Sequence, residues 1–150
     1  MASDLTIRLL FRWLHVVTAV VAVGGLVFLR FVLLPAVQEA LTPEQHAALR
    51  ERLMRRWRIV VFASIAVLFV SGMYNFMAVS INKGRELPAY HMLFGIKFLA
   101  ALGVFFLASI MAGRSAAFEP LRRRGGLWLG VTAALGVLVI LLGGILHNLP

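Results

Sequence analysis

Four apolar runs, roughly 13–34, 59–79, 90–112 and 127–146, alternate with polar connections along the chain. Each is about 20 residues, the length at which an α-helix crosses about 30 Å of hydrocarbon. The pattern predicts an all-α integral membrane protein: one transmembrane domain over 1–150, an up-down four-helix bundle with short connections between antiparallel neighbours.

The first connection carries its own helical signal. In LTPEQ, Thr42 is placed to cap, Pro43 suits the first helical position and Gln45 stands where a capping-box partner belongs. Leu49, Leu53 and Trp57 then recur every fourth residue with arginines on the other faces. This predicts a cytoplasmic amphipathic helix over about 43–57, with its continuity into the second span left open. The other connections, SINKGRELPAY and AGRSAAFEPLRRRGG, contain the breakers Gly84, Pro88, Pro120 and Gly125. The second and fourth spans both run from an arginine cluster to glycine, which the placement of basic residues beside spans explains without a duplication.

Composition agrees: 61% of residues are hydrophobic and 14% charged, too few polar side chains to cover a soluble domain of this size. The net charge of +9 does not point to nucleic acid, because the arginines lie between the apolar runs rather than along one soluble face. Arg50, Arg52, Arg55, Arg56 and Arg58 precede the second span, and Arg114, Arg122, Arg123 and Arg124 separate the third from the fourth. By the positive-inside rule those connections are cytoplasmic, and both termini are non-cytoplasmic. Lipid headgroups are sufficient partners for such residues. The first run is too long for a cleaved signal and is expected to remain as a span. The absence of cysteine excludes disulfides, iron–sulfur clusters and thiolate metal sites.

Three histidines then stand out, because His15, His91 and His147 all fall at the non-cytoplasmic ends of spans, whereas His46 does not. His15 shares a helical face with Thr18, Ala19, Ala22 and Gly25, and His147 with Gly144, Gly143, Gly136 and Ala133. Small-residue stripes pack closely or leave space for a flat ligand. His91 shares its face with Phe94, Phe98 and Phe105. Lys97, about 9 Å further along the same helix, points about 120° away, over Tyr90, Ala101, Val104 and Ala108. A lysine inside a span costs about 2.5–3.5 kcal/mol on insertion scales, which makes it a functional candidate; Arg30, near Pro35, can reach headgroups instead. Ser64, Ser71, Asn75 and Asn82 form a polar stripe expected to face the bundle interior.

Neutral imidazole ligates haem iron or copper. No carboxylate lies inside any run, so hydrolytic zinc chemistry lacks its usual base. One reading is a b-type haem between the helices, with His15 as an axial ligand, His147 or His91 as the second, and Arg12, Lys83 and Arg85 near the propionates. The other is a copper site at the same end, built from His91, Met92, His147, Met73 and Met77. A structural subunit of a larger membrane complex is a third, and homo-oligomerisation is compatible with all of them.

The pattern W-L-H-x(8)-G-G-L-x-F, from Trp13 to Phe28, resembles the first span of HemJ-like and CopD-like four-helix membrane proteins. The third span, with Lys97 in GIKFLAALGVFFLA and Arg114 after it, is also similar, as is Arg58 opening the second span with Gly72 toward its end. The HemJ-like resemblance implies a protoporphyrinogen oxidase that binds b-type haem, with His15 and Lys97 as functional residues. The CopD-like resemblance implies copper uptake across a bacterial inner membrane. Together they favour a haem-binding redox protein acting in electron transfer or on a lipophilic porphyrinogen or quinol, with Lys97 as an acid/base or anion-pairing group.

Overall fold

The computed structural model describes the backbone of residues 2–82 and 88–148 and the side chains of 4–78 and 90–146. Helix α1 (Ala2–Phe28) passes through a π-helical turn (Leu29–Leu33) into α2 (Leu34–Ala40). After a two-residue turn come α3 (Pro43–Asn82) and α4 (Pro88–Ala112), then a 3₁₀ turn (Ala116–Phe118), α5 (Glu119–Arg123) and α6 (Gly125–Asn148). Four stretches are long and apolar enough to cross a membrane: Asp4–Ala40, Pro43–Ala78, Tyr90–Ala112 and Gly125–Leu146. Large apolar side chains such as Leu10, Val20, Phe31, Ile59, Leu99 and Leu141 point outward, as they do where the surrounding solvent is lipid.

The first helix runs beyond the apolar run that predicted it. Pro35 has no amide proton and its ring collides with the carbonyl four residues earlier, so a helix is expected to stop before it. Instead the chain widens: the Leu34 amide bonds to the Leu29 carbonyl, one residue further than an α-helix allows, and the helix continues to Ala40. The π turn accommodates the proline without a break. The amphipathic segment is continuous with the second span, the alternative that the sequence left open. It is the first third of α3, whose 40 residues make a rod about 60 Å long, twice the hydrocarbon thickness. Its start is the expected capping box: the Thr42 amide donates to Gln45 Oε1 (3.1 Å) and the Gln45 amide to Thr42 Oγ1 (3.4 Å).

The helices form a ring. The closest-packed pairs are α1 with α3 and α4 with α6, and contacts of α1 with α6 and of α3 with α4 close the circle. Apolar solvation does not draw helices together in lipid, so close fit must do so. The indole of Trp57 fills the space beside Gly25, where any Cβ would overlap it, and Val23 approaches to 2.9 Å of the Cβ position of Gly136. Most of the core sits at this arginine-rich end: Leu26, Leu29, Ile110, Met111, Ala112 and Leu129 are all buried. The Arg58 Nε donates to the carbonyl of Ala112 (2.9 Å), satisfying an acceptor at the end of α4.

The fit at Gly25 generates a stability prediction. Gly25→Ala places a methyl group inside the Trp57 ring and should destabilise the protein by about 1–3 kcal/mol. At Gly24 a Cβ meets nothing within 4 Å, so Gly24→Ala should be neutral or stabilising by up to about 1 kcal/mol. Thermal unfolding of the two variants in detergent separates these outcomes.

Candidate functional site

Beyond the packed end the bundle is hollow. A cavity of about 760 Å³ lies among all four spans and reaches their other end, within the range that buries a cofactor-sized ligand. Its floor is built by Leu26, Trp57, Val61 and Ala108, and one wall by aromatic rings. Phe76 stacks on Phe94 with centroids 4.0 Å apart, and Phe94 continues to Phe98 at 6.1 Å.

Parts of the stripes read from the sequence line this space, while Gly25 and Ala133 belong to the packed end. Ala19 and Ala22 of α1 and Gly136, Gly143 and Gly144 of α6 contribute small surfaces, and Ser64 and Asn75 contribute polar ones. Phe94, Phe98 and Phe105 face it, together with Lys97, Ala101, Val104 and Ala108 of the neighbouring face of α4. A single helix therefore presents more than one stripe to the cavity.

His15 enters from α1, half-buried, with its Nδ1 2.8 Å from Ser71 Oγ. Ser71 is fully buried and its hydroxyl has one proton, which it directs to the Val67 carbonyl at 2.5 Å. The hydroxyl must therefore accept from the imidazole, so Nδ1 carries the ring proton and Nε2 keeps its lone pair. Fixing one ring nitrogen by a hydrogen bond is how a protein prepares the other as a ligand or base. Gly72 gives the ring room: a Cβ there would stand 3.2 Å from His15 Cε1, so the imidazole would have to yield by a few tenths of an ångström.

Lys97 lines the cavity from α4, half-buried, with Nζ 3.2 Å from the Cβ position of Gly143. Arg8 and Arg12 line the mouth. Of the predicted site residues, the structure thus brings together His15, Lys97 and Arg12. His91 is exposed and is not part of the lining; its ring meets Phe76 edge-on at 6.5 Å and Tyr90 at 5.8 Å. The His147 side chain, Lys83 and Arg85 lie outside the described residues. Of the methionines proposed for copper, Met73 lines the cavity while Met77 and Met92 are exposed, and no group of three or more His, Cys, Asp or Glu able to hold a metal ion occurs among the described residues.

Ser71, Arg8 and Trp57 were not singled out by the sequence as parts of this site. The polar stripe on the second span contains the signal for Ser71, but its pairing with His15 depends on the register of α1 against α3, which no spacing within one helix reveals.

The chain is similar to an uncharacterized protein of Aquifex aeolicus (strain VF5), 29% identical over 136 residues that cover 89% of this chain and 91% of that one. No family model matches the chain, and no solved structure does.

The tautomer assignment can be checked without any ligand. In ¹⁵N NMR of the imidazole in detergent, His15 should show a single neutral form with Nε2 unprotonated. Ser71→Ala removes the acceptor and should give a mixture of tautomers, at a stability cost of about 1 kcal/mol for the lost hydrogen bond.

Proposed function

We propose that this is a membrane haem protein in which His15, through Nε2, would hold a b-type haem in the cavity. It would serve electron transfer or the oxidation of a lipophilic substrate such as a porphyrinogen or quinol, as the HemJ-like resemblance implies. The observation that carries this reading is the fixed imidazole: Nδ1 tied to Ser71 and Nε2 left for a ligand at the edge of a large apolar cavity.

The residues fit such a group. An aromatic wall of Phe94 and Phe98 and the small surfaces of Gly143 and Gly144 suit a flat macrocycle, and Arg8 and Arg12 at the mouth suit its carboxylates. His147 is one helical turn beyond Gly143 on α6 and remains the preferred second ligand, while His91, exposed and outside the lining, becomes the weaker choice. When bound, haem supplies one-electron redox chemistry. The chain's own residues bind and orient: His15 offers a lone pair, Ser71 holds the ring, and the apolar walls exclude water. Lys97 is placed to pair with an anionic group or to move a proton at its Nζ. Copper is the second reading, supported only by Met73 and His15 sharing the lining. The proposed orientation puts the cavity at the non-cytoplasmic side of a bacterial inner membrane, with the arginine-rich end inside.

The test is an absorption spectrum of the purified protein. A red sample with a Soret band that shifts on dithionite is the expected result. His15→Ala should abolish the band, and His46→Ala, on the far part of α3, should leave it unchanged. Full haem retention by His15→Ala removes the assignment, and a colourless sample with stoichiometric copper moves the function to copper handling.

A further inference from the structure

In the cavity half of the bundle, close contacts bridge three of the seams between neighbouring helices. His15 Nδ1 lies 2.8 Å from Ser71 Oγ between α1 and α3, and Phe76 stacks on Phe94 at 4.0 Å between α3 and α4. Between α4 and α6, Lys97 Nζ stands 3.2 Å from the Cβ position of Gly143. The seam between α1 and α6 differs. It is tight at Val23 and Gly136, where a Cβ on the glycine would meet the valine at 2.9 Å, and from there toward the mouth it opens.

A step of seven residues is two helical turns, about 10 Å, and returns to nearly the same face of a helix. On α6 that step toward the mouth leads from Gly136 to Gly143. Among the described residues, only Nζ and Cε of Lys97 come within 4 Å of the Gly143 Cβ position, and no atom of α1 does. At Gly144 beside it, a Cβ would meet nothing within 4 Å. On α1 the same step leads from Val23 to Val16, which is 47% exposed, past Val20 at 60%. Ile140, between the α6 glycines, is 44% exposed. Val16, Val20 and Ile140 all line the cavity as well. Along this edge the lining is therefore continuous with the outer, lipid-facing surface.

We propose that this seam is a lateral doorway, through which an amphipathic anion dissolved in the bilayer enters the cavity. The proposal rests on the cavity being a ligand site and holds whether or not haem is the resident group. Charge decides the class of ligand: Arg8 and Arg12 line the mouth and suit an anionic head at the level of the lipid headgroups. The side chains of Val16, Val20 and Ile140 present no polar group to an apolar body sliding between the helices. Entering sideways, that body stays in hydrocarbon throughout, whereas entry by the mouth would carry it through water past two guanidiniums. The seam between α3 and α4 offers no equal passage at this level, because the stacked rings of Phe76 and Phe94 fill it.

The test is photolabelling of the full chain in phosphatidylcholine liposomes that contain palmitic acid carrying a diazirine in its chain, with adducts located by mass spectrometry. Adducts are expected on Ala19 and Ala22, which line the cavity. Val20→Trp with Ile140→Trp fills the seam and should lower those adducts about tenfold. Adducts on the lipid-facing Ile59 and Leu99 should stay unchanged in that variant and report an intact fold. Phe69→Trp with Leu102→Trp adds bulk at exposed lining positions of α3 and α4 and should leave the cavity adducts as they are. Ile140→Ala widens the seam and should raise them. Absence of cavity adducts, or adducts that persist when the seam is filled, overturns the doorway. An absorption spectrum of the same sample reads the haem assignment separately. Seam-dependent adducts in a colourless sample keep the doorway and remove haem, and a Soret band with seam-independent adducts does the reverse.

Discussion

A polar side chain inside hydrocarbon must find a partner within the protein, because lipid offers none. His15 meets that requirement through Ser71, and the pairing ties α1 to α3 beside the hollow end. Ser71 itself is satisfied by the Val67 carbonyl of its own helix, so the short chain of hydrogen bonds ends on backbone rather than on another buried side chain. The pairing needs α1 and α3 close together at that depth and needs Gly72 to leave room for the ring. It also fixes which nitrogen of the imidazole faces the remaining space, and so converts an isolated polar residue into a directed one.

The bundle divides its tasks along its length. Near the arginine-rich end, Trp57 fits beside Gly25, Leu26 and Leu129 are buried, and Arg58 satisfies the end of α4. Close fit holds membrane helices together, and here it is concentrated in one half. The other half can then remain open without the bundle falling apart. Trp57 marks the boundary: it packs against the core clusters and also forms part of the cavity floor.

Features that depend on one helix at a time were legible in the sequence. The four spans follow from run length, the capping box at Thr42 and Gln45 from local residue type, and the small and polar stripes from periodicity. Features that depend on two helices were not. Ser71 was visible as one member of a polar stripe, but its contact with His15 is a consequence of register between α1 and α3. His91 shares a helical face with Phe94 and Phe98, which line the cavity, yet it sits about one turn nearer the helix end and its ring is exposed against Phe76. The apolar run ends before Pro35 but the helix does not: proline forbids the next α-helical hydrogen bond but not a π turn that carries the chain past it to Ala40.

The charges lining the cavity limit what can fill it. Arg8, Arg12 and Lys97 are in the lining, and among the described residues no carboxylate is. At the mouth, the two arginines can keep their heads among water and headgroups. Lys97 is in a different position, half-buried against Gly143 and deeper in the span. A lysine placed inside a span costs about 2.5–3.5 kcal/mol on insertion scales, and among the described residues no acidic side chain of the lining offsets it. An apolar ligand without charge would remove what water reaches Lys97 and raise that cost. A ligand with an anionic group would lower it, while its apolar body covered Phe94, Phe98 and the α6 glycines. A ligand matched to this lining in charge as well as in shape would be an amphipathic anion.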